Sequence, residues 1–88
     1  VSVWKYERDV ENLKIEIARL ERMICEKQDE FQRATRRGEE ADARLLRREQ
    51  LKYEEKLREI IRELIHTERK LEKVKKEEKD PLGDLSWW

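Results

Sequence analysis

The chain has 88 residues, half of them charged and 36% hydrophobic, with 22 basic and 22 acidic side chains and a formal net charge of zero. That apolar content is too small for a compact globular core, whereas a two-helix seam needs only two apolar positions in every seven. Zero net charge argues against nucleic acid or an anionic membrane as the main partner, and no apolar run approaches the ~20 residues of a membrane span.

The first predicted element is a helix over residues 3–37, with Ser2 as a candidate N-cap. Residues Val3, Tyr6, Val10, Leu13, Ile17, Leu20, Ile24, Lys27, Phe31 and Ala34 recur at alternating spacings of three and four. In heptad notation this is an a/d seam with a at 3, 10, 17, 24 and 31. Good helix formers fill the remaining positions, and Glu–Lys and Glu–Arg pairs at helical spacing solvate the outer face. Glu7 and Glu11 form an unfavourable pair on it.

Arg36-Arg37-Gly38-Glu39-Glu40 then divides the chain. Cations suit a helix end and anions a helix start, because of the charges on unsatisfied backbone groups there. Arg33, Arg36 and Arg37 fit an ending, and Glu39, Glu40 and Asp42 fit a beginning. Glycine accepts the left-handed conformation that commonly follows a last helical turn. No Ser, Thr, Asp or Asn directly follows Gly38 as an N-cap.

A second helix is expected over residues 39–79. Its seam is Leu46, Gln50, Tyr53, Leu57, Ile60, Leu64, Thr67, Leu71 and Val74, with a at 50, 57, 64 and 71. Asp80-Pro81 is expected to stop it, since proline disfavours the helical conformation in the preceding residue. Asp80-Pro81-Leu82-Gly83 fits a type I turn. Residues 80–88 form a tail in which Leu82, Leu85, Trp87 and Trp88 cluster. In a hairpin this tail emerges beside Trp4, and it is expected to fold back over the open end. A linear motif for another protein and the start of a further domain are the other readings of the same residues.

The two seams do not share a register. Their offset is five residues, or minus two, whereas coiled coils tolerate insertions of three or four. Folding the chain at Gly38 removes the conflict, with level residues whose numbers add up to 77. The layers then run from Val3–Val74 to Ala34–Ala43, and Lys27 meets Gln50 in a polar layer expected to set register. The predicted fold is therefore all-α, an antiparallel two-helix coiled-coil hairpin. A continuous parallel coiled-coil dimer, with a defect at Gly38 and a spacer role, is the alternative.

Outside the seam the surface is not uniformly polar. Trp4, Ala18, Cys25, Leu51 and Ile65 occupy b positions, Ile61 an e position and Ile15 an f position. Positions e, b and f adjoin on the helical wheel, and in an antiparallel pair the two e/b sides flank one face. Ile15, Ala18, Cys25, Leu51, Ile61 and Ile65 are thus expected to form a partner-binding strip. Its occupant would be a helix or small domain of another protein, or a second copy making a four-helix bundle. Met23, at g, lies on the other flank.

Chemistry is sparse. His66 falls at an outward c position with no ligand constellation, and Cys25 has neither a second cysteine nor a nearby histidine. There is no glycine-rich phosphate loop and no cleft to perturb a carboxylate. No metal, cofactor, small-molecule substrate or enzymatic activity is expected. Arg33, Arg36, Arg37, Arg44, Arg47 and Arg48 gather near the turn, a tip that could meet phosphate. No aromatic residue is interleaved among them in sequence, which favours a solvated charged face. A single cysteine forms no internal disulfide, which points to a reducing, cytoplasmic setting. Val1 in place of methionine reads as a piece of a longer protein. The outline resembles the two-helix fingers used by Rho-type GTPase effectors, in architecture alone, with no motif residue carried over.

Overall fold

The computed structural model describes residues 3–84, with side chains through Glu77. Two helices make up nearly all of it: α1, Val3–Arg36, and α2, Glu40–Asp84. They lie antiparallel and form a hairpin about 16 × 14 Å across. The 34 residues of α1 give an arm of about 51 Å at ~1.5 Å per residue.

The turn follows from the backbone groups that a helix end leaves unpaired. Gly38 has φ +77°, in the left-handed region that side chains disfavour. This lets two amide groups turn back onto α1. The Glu39 N–H donates to the Ala34 carbonyl at 2.9 Å and the Gly38 N–H to the Thr35 carbonyl at 3.1 Å. That pair of bonds, one nested in the other, is the Schellman motif. The new helix starts at once: the Ala43 N–H donates to the Glu39 carbonyl at 2.9 Å. Glu39 therefore stands as N-cap without a good capping side chain. Arg33 and Arg36 occupy the last turn of α1, and Glu40 and Asp42 the first turn of α2, each on the side that the helix ends favour. The sequence places the helix bounds at 37 and 39; the turn takes one residue from each.

Every described residue of the two seams is buried or half-buried. Val10, Leu20, Ala34, Ala43, Gln50 and Ile60 are the most enclosed. Ala34 and Ala43 face each other beside the turn, where small side chains let the helices approach. Two cross-helix contacts bear out the level rule. Lys27 bonds to Glu49 and Arg47 lies over Phe31, each within one residue of the levels expected. The continuous rod is therefore excluded for this chain's fold.

The end of α2 differs from expectation. The helix runs past residue 79, through Pro81 and Gly83, to Asp84, so the type I turn at residues 80–83 is not formed. Proline holds φ near the helical value; what it removes is the bond to the Glu77 carbonyl. Glu77 is exposed, and water can satisfy that carbonyl. The restriction on Asp80 is a bias and not a stop. Since Val74 is level with Val3, the last ten residues of α2 extend beyond the start of α1. The side chains of the tail cluster, Leu82, Leu85, Trp87 and Trp88, lie outside the described residues, and with them the expected cap over Trp4.

A Cβ at Gly38 would meet no atom within 4 Å, so a substitution there is opposed by conformation alone. Gly38→Ala should lower stability by about 1–2 kcal/mol, and Gly38→Asn by less, because asparagine tolerates the left-handed region. Urea denaturation followed by circular dichroism measures both; an unchanged midpoint for Gly38→Ala would refute the argument.

Candidate protein interaction surface

The polar layer shows how the seam divides the surface into two flanks. Lys27 and Gln50 occupy one level, as expected, but they do not bond to each other. The Lys27 Nζ donates to Glu49 Oε2 at 2.9 Å, with Glu30 Oε2 at 4.0 Å. Both carboxylates belong to g positions. The Gln50 Nε2 donates to Glu54 Oε1 at 3.0 Å, at an e position on the opposite flank. A charge-assisted bond is stronger than a neutral one, and a lysine stem lies along apolar surface while its head reaches out. Lys27 therefore leaves the seam toward Glu49, and the shorter Gln50 stays in it. Gln50 is 5% exposed, and its Oε1 is buried without a hydrogen-bond partner.

The flanks are distinct grooves. On the e side near the turn, Phe31, Thr35, Glu40, Ala43, Arg44 and Arg47 line one shallow groove. The Arg47 guanidinium stands 5.7 Å from the Phe31 ring centroid, in cation–π range. On the g side, Glu30, Arg33, Asp42 and Leu45 line another. Farther along that side, Asp9, Asn12 and Glu63 share a hollow with Leu13 and Thr67. The e residues of both helices thus flank one face and the g residues the other.

The apolar residues outside the seam are exposed. Trp4 is 65% exposed, Leu51 51%, Ile65 44% and Ile61 38%; Ala18 and Cys25 are also exposed. Their e and b positions put these six on the e/b face. Ile15 is exposed as well, but it lines a hollow on the outer side of α1 with Ala18, Arg19 and Arg22. Its f position points away from the seam, so it lies at the margin of the strip. Leu45 is exposed on the opposite flank and was not singled out from the sequence; its c position beside Asp42 is the signal that could have found it.

Two further features escape linear reading. No aromatic residue is interleaved among the arginines near the turn, yet the hairpin brings Phe31 of α1 beneath Arg47 of α2. The acceptor for Lys27 is likewise found only by tracing the flanks of the layer. Cys25 is a free thiol, and among the described residues no group of three or more His, Cys, Asp or Glu side chains could hold a metal. Nor is any helix there long and apolar enough to cross a membrane. Comparison with protein families, with curated proteins and with solved structures finds no match to this chain.

The hydrogen bond to Glu49 raises the Lys27 pKa above its ordinary value of 10.5; desolvation opposes the rise, and the nearby charges of Glu49 and Glu30 add to it. A raised lysine pKa gives stability that is complete below the ordinary value and is lost as pH climbs through the folded one. The stability of the native chain relative to Lys27→Met should therefore be constant from neutral pH up to 10.5 and decline above it, in paired denaturation curves. At the other residue of the layer, Gln50→Leu removes the unpartnered oxygen at the cost of one bond to Glu54. It should raise stability by about 1 kcal/mol, read as a higher urea midpoint.

Proposed function

We propose that this chain is a non-enzymatic protein–protein interaction module, a helical-hairpin scaffold or adaptor that docks a partner along its e/b face. The observation that carries the reading is the exposure of Trp4, Leu51, Ile61 and Ile65 on a hairpin whose seam is already filled. Scattered surface hydrophobes are ordinary, but several that share one face, with Ile61 and Ile65 at successive turns, mark an interface. The thinness of the hairpin supports the same reading. Among the described residues no large side chain is fully enclosed, so covering this face would add burial that two helices alone do not supply. The exposed Cys25 thiol suits a reducing, cytoplasmic setting.

The proposal separates docking from folding. Ile61 and Ile65 contribute little to the seam, so Ile61→Glu with Ile65→Glu should leave the stability of the isolated hairpin within about 0.5 kcal/mol. The same change should abolish docking. A photo-crosslinking amino acid at position 61 or 65, in cells, should give covalent adducts with another polypeptide chain. The same probe at position 66, on the opposite flank, should give few. Equal yields at 61 and 66, or none at either, would defeat the proposal.

A further inference from the structure

We infer that the occupant of the e/b face is a second copy of this chain, packed face to face and antiparallel about a two-fold axis level with Ala18 and Arg58. The inference rests on the docking reading above and names its partner. The argument is one of charge and level. Exposed Glu7, Glu11, Glu68 and Glu72 occupy the e and b positions toward the open end. Exposed Arg44 and Arg47 occupy those of α2 toward the turn, where α1 presents the neutral Gln28, Gln32 and Thr35. Between them lie Ile65, Ile61, Ala18, Cys25 and Leu51. The face runs acidic, apolar, basic, and such a gradient is complementary to its own reversed copy. Six charged residues depart from this order: Lys14, Glu21, Glu54 and Arg58 within the middle, two of each sign, and Lys75 at the open end and Glu40 at the turn. The last two are opposite in charge and fall at matching levels.

Reversal stacks α2 on α2 and α1 on α1. Setting Ile65 against the second copy's Leu51 fixes every other level. Glu68 then meets Arg47 and Glu72 meets Arg44, each twice by symmetry. Arg58 meets its own copy at the axis, with Glu54 of each chain one turn away; it is the one like-charge meeting among these e and b residues. Trp4 supplies an independent check. The same axis carries it to the level of Phe31 and Thr35, where the groove flanked by Arg44 and Arg47 is open. An indole there would lie on apolar surface beside two guanidinium groups. Parallel stacking sets Glu7 against Glu68 and Glu21 against Glu54 and brings the arginines of both turns together. The charge pattern therefore selects the antiparallel arrangement.

The test uses the purified full chain in a Cys25→Ser background, with sedimentation equilibrium as the readout and circular dichroism to confirm folding. The native face should give a dimer. Reversing the acidic end with Glu68→Arg and Glu72→Arg, or the basic end with Arg44→Glu and Arg47→Glu, should weaken self-association by more than ~100-fold. Mixing the two variants should restore a dimer containing one of each. Arg58→Cys should form a disulfide between copies under mild oxidation, and His66→Cys should not. Dimers that survive either reversal, or reversed variants that fail to pair when mixed, overturn the inference. A chain that stays monomeric to ~1 mM, the weak end of specific association, also overturns it. In that last case, adducts at position 61 to a different protein would leave the docking reading standing; their absence would remove both.

Discussion

One glycine in the left-handed region decides which way two seams face. In a helix continued through Gly38, the apolar stripe of α2 would emerge on nearly the opposite side from that of α1, because the registers differ by two residues from a heptad multiple. The φ of +77° at Gly38 and the nested bonds from Gly38 and Glu39 back to α1 reverse the chain and turn the stripes toward each other. The seam, the level rule and the division into e and g flanks all depend on that reversal. A side chain at position 38 would find open space, so the constraint is backbone geometry and not packing.

A two-helix seam buries one stripe per helix and leaves every other side chain at least partly in water. Here even the most enclosed residues keep a few per cent of their surface exposed. One position within this modest core is given to Gln50, whose Oε1 has no partner. Desolvating such an oxygen costs about 1–3 kcal/mol. The cost favours this register only against arrangements that would place Lys27 or Gln50 still worse. Lys27 escapes to Glu49, and Gln50 does not escape. The layer thus ties the helices together through the Lys27–Glu49 bond on one flank, while the Gln50–Glu54 bond on the other stays within α2.

Much of the fold was legible because heptad spacing is a direct consequence of helical geometry. Each described seam residue named from the pattern is buried or half-buried, and the turn falls where Arg36-Arg37-Gly38-Glu39-Glu40 puts opposite charges on either side of a glycine. What escaped was whatever depends on competition between alternatives of similar energy. Pro81 opposes a helix without forbidding it, and the pattern carries no measure of which outcome prevails. The partner of Lys27 depended on side-chain reach, which spacing does not encode. The e/b strip was legible as positions on a wheel, but the outward placement of Ile15 needed the paired helices to define a face.

The distribution of charge on the e/b face is not explained by the hairpin itself. Helix dipoles favour anions at a helix start, but the first turn of α1 holds no acidic residue. That effect fades within the first turn, so it gives no reason for Arg44 and Arg47 beyond the start of α2, nor for Glu68 and Glu72 well before its end. Pairs within one helix do not explain the sorting either, since they require opposite charges three or four residues apart and not blocks of one sign. Arg47 finds one internal partner in the Phe31 ring, and Arg44 reaches the Glu40 carbonyl at 3.4 Å. Neither contact uses the full charge of the guanidinium. A face whose ends carry opposite signs, with its exposed isoleucines and leucine between them, would find its charges complemented by a surface of reversed polarity. The second copy that we propose as its occupant is such a surface.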